Sequence, residues 1–176
     1  MRFELTVRLD TEARQNVMSG WIKRLKADVN ASEKSKRHAD AMRLHSAEVI
    51  RAKMPKFWQE LVDCLKSDVD ELRGEFADIV ERQCSIFANE TTVSLGGQSK
   101  PYTTVTVTLN LHGMCLDSVA STGHRKNGDL SDDRADLNFL LNGAEGLFVV
   151  WGERQFATPT DLSEALIRRA CNIEVL

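Results

Sequence analysis

The chain has 176 residues, a formal net charge of −3 and 42% hydrophobic residues. These values belong to a folded globular protein and exclude a disordered or low-complexity chain. The longest unbroken apolar run, Leu147-Phe148-Val149-Val150-Trp151, is far shorter than the roughly 20 residues a spanning helix needs.

The start, Met1 to Leu9, lacks an apolar core of signal-peptide length. Cys64, Cys84, Cys115 and Cys171 are widely separated, with no C-x-x-C pair. Both features predict a cytoplasmic protein with reduced, packed thiols, no transmembrane segment and no membrane partner.

Phe3, Leu5, Val7 and Leu9 alternate with polar residues and predict a short N-terminal strand. Asp10 or Thr11 then offers an N-cap for a long helix, whose stripe is Val17, Met18, Trp21, Ile22, Leu25 and Val29. The stripe thins through Ala31, His38, Met42, His45, Val49 and Ala52, and neither Gly nor Pro interrupts residues 21–54. Pro55 suits the first turn of a second helix, placed at residues 55–84. Its stripe holds Phe57, Trp58, Leu61, Val62, Leu65, Val69, Leu72, Phe76, Ile79 and Val80.

Charge is blocked along these two segments. Residues 14–56 hold 11 Lys/Arg against four Asp/Glu, a net of +7; residues 57–90 hold three against nine, a net of −6. An antiparallel hairpin turning near Met54 would set Lys34 across from Glu75 and Arg37 across from Glu71. The basic helix would then be neutralised by its acidic neighbour.

Residues 84–157 change to strand character. Val105, Val107, Leu109 and Leu111 alternate with threonines and Asn110, preceded by a run at 91–95 and a Gly/Pro-containing linker at 96–101. Met114 to Ala120 predicts another strand, and Asp136–Leu141 and Leu147–Trp151 flank the hairpin signal Asn142-Gly143-Ala144-Glu145-Gly146. Leu147–Trp151 is apolar on both faces and is expected centrally in the sheet. Residues 121–134 read as a long loop. Pro159 and Asp161-Leu162-Ser163-Glu164 mark a final helix capped by Asp161 and ended by Asn172. The expected fold is α+β: a long α-helical hairpin over residues 1–84, with a possible N-terminal strand, then a four- or five-stranded antiparallel β-meander with a C-terminal helix over residues 85–176.

The catalytic inventory is thin. His112, Cys115 and His124 are the only Cys/His cluster close in sequence; they lack a second close ligand pair for zinc and an oxyanion-hole signature for a nucleophilic thiol. The acidic loop 127–133 carries Asp132 where a calcium loop needs glycine. No phosphate-cradling glycine motif occurs. Neither cofactor nor metal is expected, and the balance leans away from an enzyme.

Two functions remain. The first is a non-enzymatic protein–protein interaction or assembly module, of adaptor, chaperone or regulator type, binding a protein partner or a second copy of itself, with a homodimer expected. Its anchors would be Trp21, Ile22, Leu25, Trp58, Leu61 and Leu65. The second is nucleic-acid binding through the basic helix 14–56, using Lys23, Lys34, Lys36, Arg37 and Arg43, with Arg125 and Lys126 at a loop tip. A sequence pI of about 5.8 weighs against the second.

Overall fold

The computed structural model describes the backbone of residues 3–123 and 130–173 and the side chains of residues 20–123 and 131–173. The chain divides into two units, Met1–His45 and Ser46–Leu176.

One helix, α1, spans Phe3–Glu75. It replaces both the expected N-terminal strand and the expected hairpin. The alternation at residues 3–9 does not make a strand because no described strand pairs with it. A helix already running from residue 11 extends backward cheaply where no Gly or Pro stops it. Pro55 lies inside the helix rather than at a turn. It leaves the Arg51 carbonyl without its helical donor, a loss of about 3 kcal/mol in an isolated helix. Met54, Phe57 and Trp58 on either side are buried, and each contributes roughly 1.5–3 kcal/mol on burial. Their anchoring on both sides of the proline outweighs the lost bond.

In the first unit, Met1–His45, α1 is the element present, and the side chains of residues 21–44 are exposed throughout.

The second unit begins with the remainder of α1. Ile50, Met54, Phe57, Trp58, Leu61, Val62, Leu65 and Val69 are its buried face. The helix stops at Glu75, after Gly74, instead of continuing to residue 84. Ile79 and Val80 therefore leave the stripe and stand exposed beside a short 3-10 turn, Val80–Arg82.

Seven strands follow: β1 Cys84–Ala88, β2 Thr92–Gly97, β3 Tyr102–Asn110, β4 Cys115–Gly123, β5 Leu130–Leu141, β6 Leu147–Trp151 and β7 Arg154–Phe156. Every pairing is antiparallel and the spatial order equals the chain order. The expected meander is present, with β1 and β7 added at its two edges. β6 lies next to the short edge strand β7 rather than centrally. Much of the expected loop at 121–134 is paired strand, with Ser121 opposite Asp132 and Gly123 opposite Leu130. Asn142 organises the β5–β6 turn by accepting from the Ala144 and Gly146 amides at 3.0 and 2.7 Å.

The closing helix α2, Pro159–Ala170, is capped by Thr158 rather than Asp161. The Thr158 hydroxyl accepts from the Asp161 amide at 3.1 Å, an N-cap bond, and donates to the Asp161 carboxylate at 2.7 Å. Asn172 ends the helix in the left-handed region, φ 53°.

The core sits on one sheet face. Val93, Leu95, Val105, Val107, Leu116, Leu137, Phe139, Val149 and Phe156 pack with the buried face of α1 and with Leu162, Leu166 and Ala170 of α2. Phe57 meets Phe139 edge-to-face at 5.4 Å. The Ser163 hydroxyl donates to Asp68 at 2.6 Å, joining the two helices across the top of the core. The opposite sheet face carries hydroxyls: Ser94 bonds Thr106 at 3.1 Å, and Thr92 bonds Thr108 at 3.4 Å.

Candidate protein-interaction surface

Within residues 20–45 the helix carries large apolar side chains that no described residue covers. Trp21, Ile22, Leu25 and Val29 are 58%, 53%, 47% and 47% exposed. The three- and four-residue steps between them keep all four on one side, since a helix turns about 100° per residue. On the same geometry Lys23, Lys34 and Arg37 fall near the opposite side. The basic residues nonetheless spread around the helix, since Lys36 and Arg43 fall on the apolar side. Glu33 screens Arg37 through an exposed ion pair at 3.6 Å, worth at most about 1 kcal/mol. The Arg24 guanidinium donates to the Gly20 carbonyl one turn back, at 3.3 Å. Lys36 and Arg43 are exposed as well.

The second group of expected anchors has a different environment. Trp58 is 4% exposed, and Leu61 and Leu65 are fully buried, all within the core against the sheet. The Trp58 indole N–H donates to the Glu90 carbonyl at 2.9 Å, so its one polar atom is also satisfied. The two stripes share a period and, at about 100° per residue, much the same width. Periodicity therefore held no signal to separate them; burial against the sheet does. Arg125 and Lys126, and with them His124, lie outside the described residues.

Cys115 is not an activated nucleophile. Its thiol is buried and donates to Asp117 at 3.3 Å. Burial first, then the hydrogen bond to Asp117 and the charges of Asp117 and Asp136, push it up to about 11. Asp117 also accepts from Asn110 at 3.1 Å, which fixes its orientation. His112 is exposed in the β3–β4 turn. Among the described residues, no three Cys, His, Asp or Glu side chains gather as a metal site would require.

A groove of about 470 Å³ runs beside α2, with Leu72, Phe76 and Ile167 as apolar lining and Asp68, Glu71 and Glu164 among its acids. Asp68 is held by Ser163, and Glu164 pairs with Arg168 at 2.7 Å. Asp68 and Glu164 are thereby engaged with neighbours. None of the described helices is long and apolar enough to cross a membrane. No protein-family model, curated protein or solved structure matches the chain.

Proposed function

We propose that this protein is a non-enzymatic protein-interaction or assembly module that binds through the exposed face of α1. The observation that carries this reading is the strip Trp21-Ile22-Leu25-Val29, roughly half exposed along its length. Aromatic and aliphatic groups of this size dominate interface energetics once desolvated. Residues 20–45 also hold seven Lys/Arg against three Asp/Glu. The favoured partner is thus an amphipathic helix with an apolar seam and acidic flanks, because like charges along two copies of this segment would repel.

The test compares Trp21→Ala with Trp58→Ala. Trp21→Ala should keep the thermal midpoint while weakening binding of an acidic amphipathic helical peptide by about 10-fold or more, the effect of a hot-spot loss of 1.4 kcal/mol or more. Trp58→Ala should instead cost about 3–5 kcal/mol of stability. If the wild-type chain neither binds such a peptide nor assembles with itself over a wide concentration range, the reading is wrong.

A second reading rests on the exposed Lys23, Lys34 and Arg37. Because α1 does not fold back at Met54, residues 71–75 do not neutralise them within one helical hairpin. Nucleic-acid binding through these cations would fall steeply with salt. Reversing Lys34, Lys36 and Arg37 to Glu should abolish it, and fluorescence anisotropy of labelled DNA and RNA decides the matter.

A further inference from the structure

Cys84 opens β1 and Cys171 caps α2, 87 positions later, yet the fold brings them together. Cys84 is the register partner of Gly97 on β2. Gly97 has no side chain, and the end of α2 occupies the space one would need. A Cβ there would lie 1.9 Å from the Ala170 carbonyl oxygen and 3.2 Å from the Cys171 Cα. Cys171 is thus seated over the very strand pair that holds Cys84. Antiparallel partners stand about 4.5–5.5 Å apart and point their side chains to the same face, so Cys84 and the end of α2 at Cys171 meet on one side of this strand pair. The Ser99 hydroxyl donates to the Cys171 carbonyl at 3.1 Å and fixes the helix end in place. Both cysteines are buried, 2% and 3% exposed.

We propose that Cys84 and Cys171 form an oxidisable dithiol, a modification site at which a low-molecular-weight disulfide such as oxidised glutathione installs a Cys84–Cys171 bond.

The two sulfurs are chemically unequal. The neighbouring thiol pulls Cys171 down and is the first cause of a Cys84 thiol pushed well up, with burial adding to it; the Cys84 thiol itself donates to the Ser85 carbonyl at 3.5 Å. Arg73 opposes this rise, and its guanidinium donates to the Cys84 carbonyl at 3.0 Å. Cys171, at the end of α2 that opens first, is the attacking sulfur and Cys84 the resolving one. The Cys171 thiolate attacks one sulfur of the small disulfide, breaks its S–S bond and releases one small thiolate. Cys84 gives its proton to that thiolate and attacks the Cys171 sulfur, forming the protein disulfide and releasing the second small thiolate, which takes from solvent the proton Cys171 gave up on becoming a thiolate. One small disulfide is reduced to two thiols as two protein thiols are oxidised to one disulfide. Access comes from opening of the last turn of α2, because helix ends fray first.

The remaining cysteines serve as internal controls. Cys64 is partly exposed and faces the Thr160 hydroxyl at 3.6 Å, whereas Cys115 faces Asp117. The experiment treats the full chain with excess oxidised glutathione, alkylates the remaining thiols in denaturant, and reads intact mass and peptide map. The expected product has lost two hydrogen atoms and yields a cross-linked peptide joining Cys84 to Cys171. Cys115 is then recovered alkylated. The cross-link disappears with dithiothreitol and in Cys171→Ala, and the oxidised form melts at a higher temperature than the reduced one. The inference is overturned if Cys84 and Cys171 are both recovered alkylated while Cys64 carries a glutathione adduct, or if another cysteine pair is joined. The wild-type map decides the question even where a variant fails to fold.

Discussion

Asn172 shows how much one side chain can hold. Its backbone is left-handed, φ 53°, the conformation that lets a helix end on a non-glycine residue at modest cost. Its amide accepts from the Thr103 hydroxyl at 2.9 Å and donates to the Pro101 carbonyl at 2.7 Å and to Ser99 at 3.1 Å. Asn172→Ala loses these bonds and raises the left-handed strain, so it should cost about 2–3 kcal/mol in urea unfolding. Asn172→Gly keeps the backbone conformation and should cost less. Cys115 makes a prediction in pH. A thiol held up to about 11 when folded, against 9.0 for the ordinary group, stabilises the fold fully below pH 9. That contribution declines as pH rises through the interval to about 11, where the unfolded chain has given up its proton and the folded one has not. Measured against Cys115→Ala, the excess stability should shrink over that window, and alkylation of Cys115 should lag that of Cys64 at pH 8. The end of α2 at Asn172 was legible in the sequence. The start was misplaced by three residues because Thr158 and Asp161 are both good caps, and only the reciprocal bond between them shows which one stands outside the helix.

At the scale of elements, α1 departs most from expectation, and it does so at residues whose pattern was read correctly. The stripe from Phe57 to Leu72 is where periodicity placed it. What periodicity cannot show is whether a proline between two stripes begins a helix or interrupts one, since both leave the flanking repeats intact. The decision rests on burial of Met54 and its neighbours, a tertiary property. Pro55 itself is exposed. Pro55→Ala should therefore restore the missing bond without disturbing packing and raise stability by about 1–3 kcal/mol, read from the urea midpoint. The candidate interface was half legible for the same reason. Trp21 and Trp58 stand on stripes of equal period and similar width, and only burial against the sheet distinguishes them. The edge strands β1 and β7 escaped notice because five and three residues are too few to show alternation. The paired ends of β4 and β5 escaped because Ser121, Thr122, Ser131 and Asp132 are polar on both faces.

On the scale of the whole molecule, the second unit is a seven-stranded sheet clothed on one side by helices and left hydroxylated on the other. The threonines of β3 divide as their alternation requires. Thr104 is exposed, Thr106 and Thr108 bond to β2, and Val105 and Val107 are fully buried. The sequence pattern defined this half well because a one-residue slip in register would have turned the valines to water. The charge blocks were read correctly as composition and wrongly as geometry, since acidic and basic runs follow each other along one helix instead of facing across a turn.

The order of the strands has a bearing on how the protein is made. Each β ladder joins neighbours in sequence, so every loop closed during sheet formation is short and its entropic cost small. Hairpins can zip one after another as the chain leaves the ribosome, each adding to the surface offered by residues 50–69. α2 is made after every described strand it packs on, and its Leu162, Leu166 and Ala170 cover apolar sheet that would otherwise face water. Until α2 has been made, the described sheet displays an open apolar flank. That interval is when the nascent chain is most exposed to aggregation and most in need of a chaperone.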